Sequence, residues 1–551
     1  MNRGPATPEH PRAAPNWVEP VLLLIFVIVW LGTLGSRSLV SADEGRYASL
    51  SLAMLQSGDW VTPRLNGLLY FEKPALQYWA GAASMALFGV NEFAARLWPG
   101  LSGLGTVFLV GFTARQLWGQ RAGRRAFIIA GAMTWIVVNS HFLSLDAGLS
   151  AALTLVLCSV LMAERAGPAA EAGRRRWMLA AWAGVGLAVL SKGLVGIVIP
   201  GTTLVVHSLW RRDFSIWARL EWLRGLALLL LICLPWFLVV SMRNPDFAAF
   251  FFVHEHFQRY LTPVHRREGA WWFFVPFLLV GALPWTSALP WAARVDRTDF
   301  AASLALTWAL VVFVFFSASS SKLPSYILPL FPALALLLAR RAEAAGAASL
   351  RWHLLLPALV WALALLAWPF ASRMANAGTP PEAIAALARG AALGAAVFLA
   401  GAAIAWMLLR RQRVTAALAV VAAAHLVATL TVLNSHDRYG QLKSSEGIVR
   451  ALQPSIDGAT PVFAVQSYDH TLEFYLRRPV TLVDFRDEFE FGEDHEPDRW
   501  IPTVDAFLAR WHTEPRAAAY MSRATLQNLR GRGFDARLVF EDARRVVAVK
   551  P

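Results

Sequence analysis

Residues 41–74 read SADEGRYASLSLAMLQSGDWVTPRLNGLLYFEKP. They follow the first long apolar run of the chain. The stretch is too polar to cross a bilayer and too patterned to be an idle linker. Asp43, Glu44, Arg46 and Tyr47 stand at one end, and Tyr70, Glu72 and Lys73 at the other. Between them, residues 48–56 place Leu50, Leu52, Ala53 and Leu55 at a spacing that suits a short helix lying at a membrane interface. Gly58, Pro63 and Asn66-Gly67 then break the chain. A loop this long beside a membrane reads as functional, not connective.

The rest of the chain supplies the membrane. Of 551 residues, 56% are hydrophobic, with 24 Trp and 33 Phe, and apolar runs recur along the sequence. Runs of about 17–25 apolar residues predict a polytopic α-helical membrane protein. The spans expected are 18–35, 93–114, 126–139, 146–163, 177–190, 193–210, 223–241, 271–291, 301–316, 323–338, 353–370, 386–409 and 414–433, about thirteen helices in all. Residues 1–16 are polar and Pro-rich and are expected to be disordered on the cytoplasmic side. The two cysteines, Cys158 and Cys233, lie in apolar runs and offer neither a disulfide framework nor a thiolate metal site.

The formal charge is +14, from 51 basic and 37 acidic residues. Nucleic acid is the easy inference, and the distribution argues against it. After Ser435 there are 16 Lys and Arg against 18 Asp and Glu, which leaves 35 against 19 before it. The excess sits in short Arg-rich connections at 115–125, 165–176, 211–224, 294–297, 340–351 and 410–413. That is a topology signal, and it places these connections in the cytoplasm. Residues 74–90 are apolar enough to pass for a span. Crossing there would move every later Arg cluster to the opposite face, so the stretch is expected to be a helix that does not cross. The odd number of spans then puts residues 436–551 outside, which is the periplasm if the cell is Gram-negative. The tail should be a small α/β domain. PVFAV and PVTLVDF read as strands with TLEFYLRR as a helix between them, 503–511 and 522–533 as helices, and 536–541 and 545–549 as strands.

The chemistry gathers on the outer face. Residues 36–92 form the first outer loop and 242–270 a second. Asp43 and Glu44 could simply be solvated or cap the helix that follows. With Arg46, Tyr47, Tyr70, Glu72 and Lys73 nearby, the set can also bind a phosphorylated sugar, carboxylates holding hydroxyls or an amine and cations neutralising phosphate. Asp146, at the outer end of a span, is an N-cap or a functional acid, and an ionisable group at that depth favours function. Lys192 either snorkels or meets a phosphate head group. SASSSKLPSYILP adds Lys322 and Tyr326. His254-Glu255-His256, with Arg259 and Tyr260, is the one cluster with metal-ligand chemistry. It could take a divalent ion with Glu72 or Asp43, or be an amphipathic interfacial segment with two structural histidines.

The first loop, followed by LQYW and NEFAARLWP, resembles the bacterial undecaprenyl-phosphate sugar transferases related to protein O-mannosyltransferases. SKGLVGIVIPG, HEHFQRY and SSSKLPSYILPLFPALALLLA extend the likeness through residues 17–435, and SYDHTLEFYLRRPVTLVDFRDEFEFG narrows it to the aminoarabinose transferase (ArnT-like) members. The resemblance implies a GT-C glycosyltransferase fold with an extracytoplasmic active site in a bacterial inner membrane. It implies a lipid-linked pentosyltransferase with undecaprenyl-phosphate 4-amino-4-deoxy-L-arabinose as donor and lipid A phosphate as acceptor, and resistance to polymyxin as the outcome. It maps the family's acidic positions to Asp43 and Asp146. Its substrate contacts fall on Arg46, Tyr70, Lys73, Arg259 and Tyr326, with Glu44, Tyr47, Lys192 and Lys322 as further candidates. Glu72 with His254 or His256 are candidates for a Zn or Mg ion, and no organic cofactor is expected. HEHFQRY departs mildly from the pattern EH-x-x-RF.

Two other readings compete. A related transferase could carry another sugar or use a protein or glycan acceptor through the same loop. A flippase for lipid-linked sugars would place charges at the bilayer midplane and show repeats, and neither is visible here.

Overall fold

The computed structural model describes residues 17–166, 170–258, 269–376 and 378–550, with the side chains of 254–258 left out. The first helix, α1 (Val18–Gly32), turns mostly Leu, Ile and Val outward and buries Trp30, whose indole N–H donates to Gly100 O at 3.0 Å. Then come α2 (Asp43–Ser57), a two-stranded hairpin of β1 (Arg64–Leu65) and β2 (Leu68–Leu69), and α3 (Leu76–Phe88). After these run α4 (Glu92–Trp118), α5 (Gln120–Ala132), α6 (Thr134–Ser140), α7 (Leu145–Ala166), α8 (Glu171–Lys192) and α9 (Val195–Arg211).

Among the described residues, seven helices are long and apolar enough to cross a membrane, and a pair bent by 108°, Phe274–Gly281 with Thr286–Ala292, would make an eighth. The other expected spans also fall on helices, but these are short, broken or Arg-bearing. Helix α1 has 15 residues and α9 has 17. The run at 126–139 is broken at Met133 into α5 and α6. The break is satisfied locally: the Thr134 N–H donates to Leu283 O at 3.0 Å, and the Thr134 hydroxyl lies 2.8 Å from His425 Nε2. A helix can be interrupted inside a bilayer where buried partners take up the freed backbone groups. Helix α3, expected not to cross, has 13 residues and a length of about 20 Å, short of the hydrocarbon thickness.

Helix α7 is the central post. Of its most apolar window, 89% is buried, against 28% for Trp222–Arg243 and 11% for the stretch 347–374, so those two face lipid.

Helix α2 differs from its expectation in length and surroundings. It starts at Asp43, not near residue 48, so Asp43, Glu44, Arg46 and Tyr47 ride on its first turns. It does not lie bare on the bilayer, since Glu44 to Leu52 are all buried between α3 and the C-terminal region. One buried ion pair fixes it. Arg96 of α4 is fully buried and makes five hydrogen bonds, the full donor complement of a guanidinium. Two go to Glu44, at 2.7 and 2.8 Å, and three to the carbonyls of Leu34, Arg37 and Ser38, at 3.0, 2.7 and 2.9 Å. Glu44 also accepts from the amides of Val40 and Leu143, at 3.1 and 2.9 Å.

The C-terminal region carries a five-stranded sheet in the order β4-β3-β5-β7-β6. The strands are β3 (Val462–Val465), β4 (Thr481–Val483), β5 (Ala518–Ser522), β6 (Arg537–Glu541) and β7 (Arg545–Val549). Strand β3 runs parallel to β4 and β5, while β7 is antiparallel to β5 and β6. The expected strands and helices form. The sequence reading missed β5, the middle strand, because AAYMS has low strand propensity. Its place is set by burial between two neighbours, which the local sequence does not record.

This region docks onto the first loop. Gly45 makes the approach possible, since a Cβ there would lie 2.5 Å from the backbone carbon of His470. The Asn66 side chain pairs both ways with the Val480 backbone, at 2.7 and 2.8 Å. Arg64 pairs with Glu496 at 2.8 Å, and Tyr475 bridges the Leu39 N–H and Glu92 at 2.8 and 3.0 Å. The first loop and the tail therefore share one face of the membrane region.

Truncating Arg96 to Ala strands a buried carboxylate and should cost about 3–5 kcal/mol. The expected result is a marked drop in the thermal midpoint of the detergent-solubilised protein, partly recovered in the double variant Glu44→Gln/Arg96→Met. A Gly45→Ala chain should insert normally but expose the tail to limited proteolysis. An uncut tail would contradict the tight approach.

Candidate active site

Two groups of polar side chains form on this face, on neighbouring elements. The Leu143 amide that donates to Glu44 holds the turn before α7 against the start of α2. Asp43 precedes Glu44 by one residue, and Asp146 follows Leu143 by three. The two acids expected from sequence are thus carried on elements tied to each other.

The first group centres on Arg46. Its Nη1 donates to Asp43 Oδ1 at 2.9 Å, and its Nε and Nη2 meet both oxygens of Glu488 in the tail, at 2.6 and 3.1 Å. Asp43 keeps 45% of its side chain exposed, whereas Arg46 keeps 11%, so the carboxylate faces the open side and the guanidinium stands behind it. His470 closes the group, one ring nitrogen 3.0 Å from Ser41 Oγ and the other bonded to Glu488. Burial opposes a charge on Glu488, but Arg46 and His470 outweigh it and hold the carboxyl down at about 2. Tyr47 and Tyr70 are buried beside this group, and burial, with Asp43 near the one and Glu72 near the other, keeps both phenols protonated. Tyr47 stacks on Tyr78 with ring centres 6.2 Å apart. Lys73 Nζ bonds the Glu72 carbonyl at 2.7 Å and lies 3.8 Å from its carboxylate.

The second group joins three chain segments. Lys192, the last residue of α8, pairs with Asp146 Oδ1, and Ser325 donates to Asp146 Oδ2 at 2.6 Å. The Lys192 ammonium also sits 4.1 Å above the Tyr326 ring, a cation–π contact. Lys322 is buried and bonds the Ser319 carbonyl. Asp146, Lys192 and Tyr326, far apart in sequence, are thus brought into contact.

Other expected residues fall elsewhere. Both oxygens of Glu44 are occupied by Arg96 and two backbone amides, which makes it a buried brace and leaves no open side for a sugar. Arg259 lies outside the described residues, as do the side chains of His254 and His256. Among the described residues, no three His, Cys, Asp or Glu side chains are disposed to hold a metal ion. Glu72 has no such ligand set among the described residues. The sequence reading missed Arg96, Glu488, His470 and Glu473. Arg96 carried a signal, a charge within the apolar run that opens α4. The others sit in a polar stretch where nothing local sets them apart.

Known proteins resemble this chain along most of its length. The family model for dolichyl-phosphate-mannose-protein mannosyltransferase matches residues 18–251, and that for the aminoarabinose transferase C-terminal domain matches 448–550. An undecaprenyl phosphate-alpha-4-amino-4-deoxy-L-arabinose arabinosyl transferase of Pseudomonas paraeruginosa is 36% identical over 63% of this chain and 64% of its own length. The chain thus aligns with just under two thirds of that relative. The crystal structure of ArnT from Cupriavidus metallidurans bound to undecaprenyl phosphate is 39% identical, covers 98% of both chains and superposes with a TM-score of 0.93. The archaeal oligosaccharyltransferase AglB from Archaeoglobus fulgidus, 12% identical over 92% of this chain and 70% of its own, shares the fold with a TM-score of 0.52.

Glu473 of the tail accepts from the Asn66 amide at 2.8 Å. Burial pushes its carboxyl from 4.5 up to about 7, against the pull of that amide and of Tyr468. A raised carboxyl stabilises the fold fully below the unfolded value of 4.5, and this contribution fades as pH rises to about 7. Relative to Glu473→Gln, the native chain should lose on the order of 3 kcal/mol across that window. Parallel pH profiles of thermal unfolding check this, and equal slopes for the two chains would refute it.

Proposed function

The chain belongs to the aminoarabinose transferase family, and from that premise we propose that it moves 4-amino-4-deoxy-L-arabinose from undecaprenyl phosphate to a phosphate group of lipid A. The reaction takes place on the periplasmic face of a bacterial inner membrane. The observation that carries the reading is the Asp43–Arg46–Glu488 unit. It combines an open carboxylate with a guanidinium held behind it, on a loop of a chain 39% identical to a solved relative bound to undecaprenyl phosphate.

The chemistry follows from the groups involved. The acceptor phosphate monoester is mostly doubly ionised at neutral pH, with a second pKa near 6, and needs no base to become a nucleophile. Its oxygen attacks the anomeric carbon of the sugar. The bond from that carbon to the lipid phosphate oxygen breaks, and undecaprenyl phosphate leaves with the electron pair. The enzyme's tasks are to hold two anionic lipids together and to stabilise the leaving phosphate as its charge grows. Arg46 and Lys73 supply positive charge for this. Asp43 positions the sugar amine or a cationic partner and abstracts no proton. Lys192, held by Asp146 and Tyr326, gives a second cationic point on the same face. Lipid A that gains an amino sugar loses net negative charge, which weakens binding of cationic peptides such as polymyxin.

Lipid A mass spectrometry tests the proposal in a strain lacking its own aminoarabinose transfer. The native chain should add the mass of aminoarabinose and raise polymyxin survival. Asp43→Asn, expressed and inserted to the same level, should lower transfer about 100-fold. A different added mass would redirect the reading to another sugar, and a fully active Asp43→Asn would refute the role given to that carboxylate.

A further inference from the structure

We infer that His470, contributed by the tail, is a positioning residue for the transfer, an inference that rests on the function proposed above. Both of its ring nitrogens are engaged, one with Ser41 Oγ at 3.0 Å and the other with Glu488 Oε1. That same Oε1 accepts from Arg46 Nη2 at 3.1 Å, and Oε2 meets Arg46 Nε at 2.6 Å. His470 and Arg46 Nη2 thus meet on the one carboxylate oxygen Oε1, while the Oε2–Nε approach is an ion-pair contact outside hydrogen-bond geometry. The opposite nitrogen, Nη1, is left facing Asp43 at 2.9 Å. A charge-assisted hydrogen bond is directional, and because His470 holds the same oxygen, the place it gives that oxygen sets where Arg46 Nη2 is held.

His470 stands behind the site, not in it. Its side chain is 12% exposed, against 45% for Asp43. Tyr468 packs edge-on against its ring with centres 5.2 Å apart, and the close approach at Gly45 pins its backbone to α2. The imidazole is thus fixed on one side by the loop and packed on another by the tail, and it passes that rigidity to Glu488.

The test uses the full chain in lipid nanodiscs, as the native protein and as His470→Gln, His470→Asn and His470→Phe. Gln places an amide near Nε2 and can keep the bond to Glu488. Asn reaches only toward Ser41, and Phe keeps the ring volume with no hydrogen bond. Transfer is measured with undecaprenyl-phosphate aminoarabinose and lipid A, undecaprenyl phosphate binding by tryptophan fluorescence, and folding by thermal midpoint. Gln should stay within about threefold of native kcat/KM, while Asn and Phe fall about 100-fold, as expected of a small displacement of a charged group at the reacting centre. Undecaprenyl phosphate binding should weaken in the same order, and the thermal midpoints should not follow it. In a Glu488→Ala background, His470→Asn should cause no further loss.

Equal losses for Gln and Asn overturn the inference, as do full activity for Phe or losses that track the thermal midpoint. So does failure of both Asn and Phe to fold, because the residue would then serve docking alone. A native chain that binds undecaprenyl phosphate with the expected order among variants, yet transfers no aminoarabinose, would instead overturn the proposed sugar and leave the role of His470 standing.

Discussion

The structure depends on a guanidinium with nothing left to donate. Arg96 is buried at the outer end of α4, and its five hydrogen bonds draw together the chain after α1, the start of α2 and, through Glu44, the turn into α7. A buried charge is tolerated only when paired and fully hydrogen-bonded. Satisfying this one therefore fixes three segments at once. The direction of α2 follows from it, and with that direction the exposure of Asp43 and the inward turn of Arg46.

A second constraint works from the tail. The loop offers Asn66, Arg64 and the bare face at Gly45, and the tail answers with Val480, Glu496 and the backbone at His470. The loop buries apolar residues of its own, Leu50, Leu65, Phe71 and Tyr78 among them, and polar pairing across this interface adds direction to that packing. The site is thus a joint product of a membrane-region loop and the C-terminal region, which contributes His470 and Glu488.

The amino-acid sequence made much of this legible. Apolar runs gave the helices, Arg clusters argued for the faces, and the loop motif marked the face where polar groups collect. Asp43, Arg46, Asp146 and Lys192 stood out because charge beside apolar sequence is conspicuous, and Tyr326 because it lies in the polar stretch with Lys322. Glu44 looked the same as Asp43 in the one-dimensional string, and only the position of Arg96, 52 residues away, separates a brace from an open acid. The start of α2 was placed late because its first turn is polar and lacks apolar periodicity. Strand β5 escaped notice because its alanines are chosen for close packing with neighbours. His470 and Glu488 could not be singled out at all, since their meaning lies in contacts more than 400 residues away in sequence.

That separation has a bearing on synthesis. Arg46 is made 442 positions before Glu488. A chain that stops before residue 488 retains every membrane helix and can lodge in the bilayer. It would nevertheless present Arg46 without the carboxylate that holds it. The face that carries Arg46 is thus completed only after residue 488 has been made, and a copy truncated before it lacks that partner.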